Sequence, residues 1–391
     1  MVVVFVTHNY PRHAGDLAGA FLHPLALALS GRGHDVRVVA PADRGNGGRE
    51  PLDGIPVRRV RYSAAGRETL AYEGRMQEAV RTPGGLLALL RLINALRRGA
   101  LAEVAEAATD RPTARPPVRP AVVHAHWWFP AGLALPSGVP SLVTLHGTDA
   151  RLLTQSAAAR WLGRRVLRRT SVVTAVSPEL AAVAEGVSGR GDVASHVQAM
   201  PVDSTVGAAS GGGGGIFVVG RLSRQKRTEL AIRAAAELAQ QGTPLPLTVI
   251  GDGVERGALE RLAATLPSPA SVRFAGALPA AEVARRLGEA DVLLFPAQQE
   301  GLGLAAIEAL IAGVPVVACS DGGGVVSALR RHGGGIITEP TPAALAGAML
   351  DARSPERRAE ARHAGERWRA ELAPDRVAEV FEGWYREALG A

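Results

Sequence analysis

The chain has 391 residues, 47% hydrophobic and 21% charged, with a formal net charge of +7. This is the balance of an ordinary globular protein, long enough for two domains, and the excess positive charge suits partners that carry phosphate. The arginines are scattered and no helix-turn-helix, zinc-finger or aromatic RNA-binding signature is present, which argues against nucleic acid. Cys319 is the sole cysteine, so an internal disulfide and a cysteine-based metal site are excluded and a reducing compartment is expected.

The first residues, Val2 to Val6, are β-branched and aromatic and read as a buried parallel strand. This apolar start is too short and unflanked for a signal peptide, and no apolar run reaches the length of a membrane span, so a cytoplasmic protein is expected. A Pro- and Gly-containing turn (His8 to Gly15), a helix (Ala18 to Ser30) and a strand (Val36 to Ala40) complete a βαβ unit. Further strands are predicted at Val57–Val60, Val122–His126, Ser141–Leu145 and Val172–Val176, with helices between and a Pro- and Arg-rich loop from Arg111 to Pro120. Leu86, Leu89, Leu90, Ile93 and Leu96 mark a helical stripe beside Arg91, Arg97 and Arg98. The stripe reads as a core-facing helix, with peripheral docking on anionic lipid as the other reading. Arg164, Arg165, Arg168 and Arg169 make a second basic face, read as solvated.

Around Met200 to Asp203 the pattern breaks, and the glycines Gly211 to Gly215 read as a linker. Strands then resume at Ile216–Gly220, Leu247–Ile250, Val272–Ala275, Val292–Phe295, Val314–Ala318 and Gly335–Ile337, with a helix at Thr228–Gln240 and a last one from Asp375 to Leu389. Two successive α/β halves imply two doubly wound Rossmann-like domains facing across a cleft, residues 1–200 and 201–374, with the helix over 375–390 packing back on the first.

Among 44 Lys+Arg residues one is lysine, Lys226, five positions after Arg221. Both follow the carboxyl end of a predicted strand, where open parallel sheets bind ligands. An ammonium kept among guanidiniums, beside an arginine, suits a phosphate. Glu300 follows the strand ending at Phe295, and Gly301-Leu302-Gly303-Leu304 open the helix Ala305 to Ala312, whose free amides and positive dipole end also suit phosphate. Glu308 lies early in that helix, placed either to accept hydrogen bonds from a diol such as ribose or to serve as an ordinary first-turn carboxylate.

Gly220-Arg221-Leu222 with Lys226, then Glu300-Gly301-Leu302-Gly303-Leu304 through Glu308 to Gly313 and Pro315, resemble the E-x7-E signature of retaining glycosyltransferases of family 4, which have the GT-B fold. The resemblance extends to Tyr10-Pro11 through Gly15, Gly31 through Val36, Val123-His124-Ala125-His126, Thr144 through Asp149, Val176-Ser177, Gly251-Asp252-Gly253 and Ala290-Asp291-Val292. It implies transfer of a hexose from a nucleoside-diphosphate sugar, UDP being the commonest donor in the family, to an acceptor hydroxyl. The acceptor is expected to be a small polar cyclitol or natural product rather than a lipid. Arg221 and Lys226 would neutralise the diphosphate, and amides of Gly303, Leu304 and Ala305 would hold its oxygens. Glu300 would bind sugar hydroxyls and Glu308 the ribose. Gly15 would allow close approach of backbone, Gly251 would lie near the base, and His146 would sit beside the reacting carbon. Asp149 would orient His146 or the acceptor. No DxD-type acidic pair that would demand a metal is present, and Arg221, Lys226 and a helix N-terminus can balance the diphosphate charge instead, so no cofactor and no essential metal are expected.

The chain departs from that pattern at Leu302, where Phe is usual, at Arg227, where Gly is usual, and at Ala14-Gly15, where paired glycines are usual. His126, Trp127 and Trp128 read either as an acceptor wall with stacking rings or as core packing. His8, Tyr10 and His13 are further acceptor candidates. A glycine run from Gly251 to Gly257 lacks the dinucleotide-binding spacing. A nucleotide-sugar 2-epimerase or hydrolase, or a non-catalytic nucleotide-sugar-binding protein, is the alternative. Closure of the two halves by a hinge near Pro201 to Gly215 is expected.

Overall fold

A computed structural model describes residues 1–72, 76–109, 119–202, 213–266 and 271–390. The chain divides into two compact units: Met1–Pro201 with Pro374–Ala391, and Val202–Ala373. Most of the predicted loop from Arg111 to Pro120, and most of the linker and hinge segment from Pro201 to Gly215, lie outside the described residues.

Unit 1 is built on the strands β1 (Val2–Val6), β2 (Asp35–Pro41), β3 (Gly48–Leu52), β4 (Ile55–Val60), β5 (Ala121–His126), β6 (Ser141–Leu145) and β7 (Val172–Ala175), in the spatial order β3-β4-β2-β1-β5-β6-β7. All pairs are parallel except β3 with β4. Every residue of β1, β6 and β7 is buried, because helices cover both faces of a parallel sheet and remove the polar alternation a half-exposed strand would show. The order reverses at β1, so the crevice of this sheet opens at the carboxyl ends of β1 and β5.

Unit 2 carries β8 (Ile216–Val219), β9 (Leu247–Ile250), β10 (Val272–Gly276), β11 (Val292–Phe295), β12 (Val316–Cys319) and β13 (Gly335–Thr338), all parallel, in the order β10-β9-β8-β11-β12-β13. Its reversal falls between β8 and β11, the two strands that Arg221 and Glu300 follow. Asp291 fixes the entry into β8 by accepting the Gly213 and Gly215 amides at 2.6 and 3.2 Å. Cys319 is buried in this core, and burial pushes its thiol up to about 11.

The structure departs from these expectations in three places. The first helix begins at His23, not Ala18, after a short 3-10 turn, because Pro24 occupies the first helical turn, where its missing N–H does no harm. The polar run Gly48–Leu52, not read as a strand, pairs antiparallel with β4 through the Asp53-Gly54 turn. The leucine stripe lies on the helix Pro83–Thr109. Its buried face is Leu89, Leu92, Leu96 and Ala100, whereas Leu86, Leu87 and Leu90 are exposed. No helix among the described residues is long and apolar enough to cross a membrane.

The C-terminal helix Pro374–Ala388 belongs to unit 1. Phe381 and Tyr385, four residues apart and therefore on one face, are fully buried. The Tyr385 hydroxyl lies 2.9 Å from His124 Nδ1. Glu382 accepts from Arg32 at 2.8 Å and His34 at 2.5 Å.

Candidate active site

In unit 2 the loop after β8 passes through a 3-10 turn, Arg224–Lys226. The Lys226 ammonium lies 3.1 Å from Glu300 Oε1 and 4.8 Å from the centre of the Phe295 ring. That ring also abuts Gly303, where an added Cβ would sit 3.1 Å from Phe295 Cζ. Lys226, Glu300 and the start of the helix Leu304–Ile311 therefore share one wall. Gly303 caps that helix at φ 83°, a left-handed conformation that glycine adopts at no steric cost. The first amides beyond it have no intrahelical acceptor. Glu308 sits half-buried in the second turn. Leu302 is buried, as apolar bulk in place of Phe should be.

Arg221 is exposed and forms no ion pair among the described residues. Its loop is held from behind by the loop after β9: Leu222 N–H donates to Asp252 O at 2.9 Å. Gly251 makes that packing possible, since a Cβ there would fall 1.9 Å from Gly220 O.

Two supports were not legible in the sequence. Glu300 is positioned by the loop after β12: its N–H donates to Gly322 O and its C=O accepts from Gly324 N–H, both at 2.9 Å. A Cβ on Gly323 would meet Glu300 O at 2.6 Å, and one on Gly324 would meet Gly301 O at 2.0 Å, so only glycines admit this crossing. Arg227, standing where the family has glycine, keeps the left-handed backbone at φ 46°. Its guanidinium donates to Pro296 O at 2.8 Å and forks onto both Asp321 oxygens at 2.6 and 2.8 Å. One side chain thus ties together the lysine loop, the glutamate loop and the glycine loop.

In unit 1 the carboxyl ends of β1, β5 and β6 gather His8, His126, Trp127 and His146. Trp127 holds a left-handed backbone at φ 69° and packs against His8, His146 and Phe21 at ring distances of 4.7, 4.5 and 5.7 Å. His126 Nδ1 lies 3.2 Å from His146 Nε2, so one of the two carries the proton. His126 Nε2 is buried without a partner among the described residues, and an orphaned N–H is the rarer defect, which puts the proton on His126 Nδ1. That leaves His146 with an Nδ1–H to donate. Burial pushes His124, His126 and His146 well below the usual histidine range, and their mutual repulsion adds to it.

The remaining acceptor candidates fall elsewhere. Trp128 is 1% exposed, its indole N–H spent on Asp149 O at 2.7 Å, so it packs in the core and presents no face to a ligand. Tyr10 is fully buried and its hydroxyl is committed to His23 at 2.7 Å. His13 and Gly15 lie exposed in the first loop, Gly15 at φ 81° with open space around it. Asp149 holds the backbone of the His146 loop, not its ring, accepting from the N–H groups of His146, Gly147 and Trp128 at 3.0–3.1 Å. Burial pushes its carboxyl up to about 6 against the pull of those bonds.

Two family descriptions divide the chain: "Glycosyltransferase Family 4" matches residues 18–194 and "Glycosyl transferases group 1" matches residues 208–368. The 2-deoxystreptamine glucosyltransferase of Streptomyces kanamyceticus is 31% identical over 209 residues, 48% of this chain and 54% of its own length; the match thus spans about half of that relative. Sucrose-phosphate synthase from Thermosynechococcus elongatus superposes with a TM-score of 0.77 at 19% identity, covering 100% of this chain and 99% of the other. Anabaena HepE, solved with UDP and glucose, does so with a TM-score of 0.68 at 17% identity, covering 99% of each chain. The chain belongs to glycosyltransferase family 4 and has the GT-B fold.

Proposed function

We propose that this protein transfers a hexose from a nucleoside-diphosphate sugar to the hydroxyl of a small polar acceptor, with retention at the anomeric carbon and without an essential metal. The observation that carries the reading is the wall at the unit 2 switch point. There Lys226, paired with Glu300 at 3.1 Å, shares the wall with a helix start that no side chain caps, and the same loop carries Arg221, which forms no ion pair among the described residues. The diphosphate supplies the anion this wall lacks. Its oxygens draw Lys226 off Glu300, and Glu300 then accepts from sugar hydroxyls. Arg221, Lys226 and the helix amides stabilise charge that grows on the leaving diphosphate, the work a metal ion would otherwise do. On the retaining path, the bond from the anomeric carbon to the phosphate oxygen breaks as the acceptor oxygen bonds on the same face. The acceptor proton passes to the departing phosphate oxygen.

UDP as the nucleotide is supported by HepE, whose structure holds UDP. A compact polar acceptor is supported by the relative that glucosylates 2-deoxystreptamine, an aminocyclitol. Acceptor recognition is assigned to the His8, His126, Trp127 and His146 cluster of unit 1. Thermal-shift screening of nucleoside diphosphates, followed by mass spectrometry and NMR of the product, tests the reading. An α-linked product from an α-linked donor, formed equally in excess EDTA, is the expected result. An inverted linkage, activity lost to EDTA and restored by a metal, or sugar release or epimerisation without an acceptor contradicts it.

A further inference from the structure

Unit 1 also carries a groove of about 810 Å³ between the helix Pro83–Thr109 and the β3–β4 hairpin. Its helix wall shows Arg91, Ala95, Arg98, Gly99 and Ala102, spaced so that they share one face. Gly99 sets the depth, since a Cβ there would fall 2.7 Å from Val39 and 2.9 Å from Val60. The helix therefore lies close on the sheet, small residues form the floor and arginines stand at the rim.

Six arginines line this groove: Arg49, Arg58, Arg59, Arg61, Arg91 and Arg98. Three carboxylates answer them among the described residues. Glu103 and Glu106 bind Arg49 and Arg58, and Glu68 binds Arg61 at 2.8 Å. Arg59 is buried and, among the described residues, donates to neutral oxygens, those of Tyr10, Pro11 and Tyr72. Arg91 and Arg98 are exposed and form no ion pair among the described residues. A concave surface with surplus charge of one sign concentrates the field and draws counter-ions. Positions 91 and 98 lie two helical turns apart, about 10 Å along the axis.

We propose that this groove is a second anion site, separate from the unit 2 wall, which binds a phosphate-bearing ligand through Arg91 and Arg98 with Arg61 opposite. Planar guanidiniums in pairs suit phosphate oxygens better than single point charges do. The phosphate belongs either to a soluble ester or to an anionic lipid headgroup.

Isothermal titration with inorganic pyrophosphate tests the site on three proteins: wild type, Arg91→Gln/Arg98→Gln and Arg221→Gln/Lys226→Gln. Wild type should show two binding events. The groove variant should lose one of them, weakened by about tenfold or more because two charge-assisted contacts go, and the wall variant should lose the other. Ala95→Glu, which places a carboxylate in the groove, should reproduce the groove variant. Loss of the wall event alone, with the groove event intact, leaves this proposal standing even if the donor reading fails. Sedimentation with phosphatidylglycerol against phosphatidylcholine vesicles assigns the source. Arginine-dependent sedimentation with the former identifies a headgroup, and pyrophosphate binding without sedimentation identifies a soluble ester. Titration curves that do not change in Arg91→Gln/Arg98→Gln and Ala95→Glu overturn the proposal.

Discussion

Glu300 and Lys226 form an ion pair at 3.1 Å, and the pairing sets what each substitution should do. Glu300→Gln keeps the shape and a hydrogen-bonding oxygen but removes the charge. Nucleoside-diphosphate affinity should hold within about threefold while kcat falls by about a hundredfold, as for loss of one transition-state contact; full turnover would rule the role out. Asp149 gives a second residue-scale test. Burial pushes its carboxyl up to about 6, above its ordinary 3.8, and pushes the neighbouring histidines well below their ordinary 6.5. As pH falls through about 6, Asp149 takes up a proton and loses an accepting oxygen from the His146 loop, so activity should fall. The unfolded chain takes up that proton only near 3.8, so this group favours the fold increasingly as pH drops across the same window. The buried histidines, held low, pull stability the other way, so the test is a difference: between roughly pH 6 and 4 the melting temperature of wild type should fall less steeply than that of Asp149→Asn, while the acid loss of activity should be flatter in the variant. The same pH profiles in wild type and Asp149→Asn would show that another group governs the acid limb.

At the scale of elements, the loops after β8, β11 and β12 act as one assembly clasped by Arg227 and Asp321. The Asp321 side chain is 44% exposed, so the pair contributes little to global stability, under about 1 kcal/mol. Its weight falls on geometry. Asp321→Asn should leave the melting temperature within about 2 °C yet raise KM for the donor severalfold, and Asp321→Glu should restore part of the loss. A melting temperature that drops with no change in KM would reduce the clasp to a fold-stabilising contact. Gly324→Ala, forced against Gly301 O, should cost about 1–3 kcal/mol and disable the site. These supports also mark what the sequence hides. β-branched runs bounded by glycines revealed most of the strands, and the lone ammonium, Glu300 and the helix-opening glycines pointed to residues that the structure brings together along one wall, because each carries its own physical signature. Arg227 and Asp321 stand 94 positions apart, and nothing local to either residue announces the other. The Gly322–Gly324 run carries no local sign of its purpose, and its reason appears only when Glu300 crosses it. The polar strand β3 escaped because an edge strand needs no apolar face. Trp128 escaped because burial and ligand stacking ask for the same residue.

Over the whole chain, sequence order and structural unit part company at Pro374. The final helix completes the core of unit 1 through Phe381 and Tyr385, and Tyr385 meets a histidine 261 positions earlier. Phe381→Ala should destabilise unit 1 by about 3–5 kcal/mol, the usual cost of removing a buried aromatic. Calorimetry should show one transition moving and the transition of unit 2 holding; two transitions shifting together would contradict that division. The account as a whole depends on unit 2 gripping a diphosphate, and its most direct test compares the best-binding nucleoside diphosphate with its parent nucleoside by calorimetry on wild type and on Arg221→Gln/Lys226→Gln. Wild type should prefer the diphosphate by about a hundredfold or more, as several charge-assisted contacts would give, and the variant should bind the two almost alike. A preference that survives both substitutions would contradict the account.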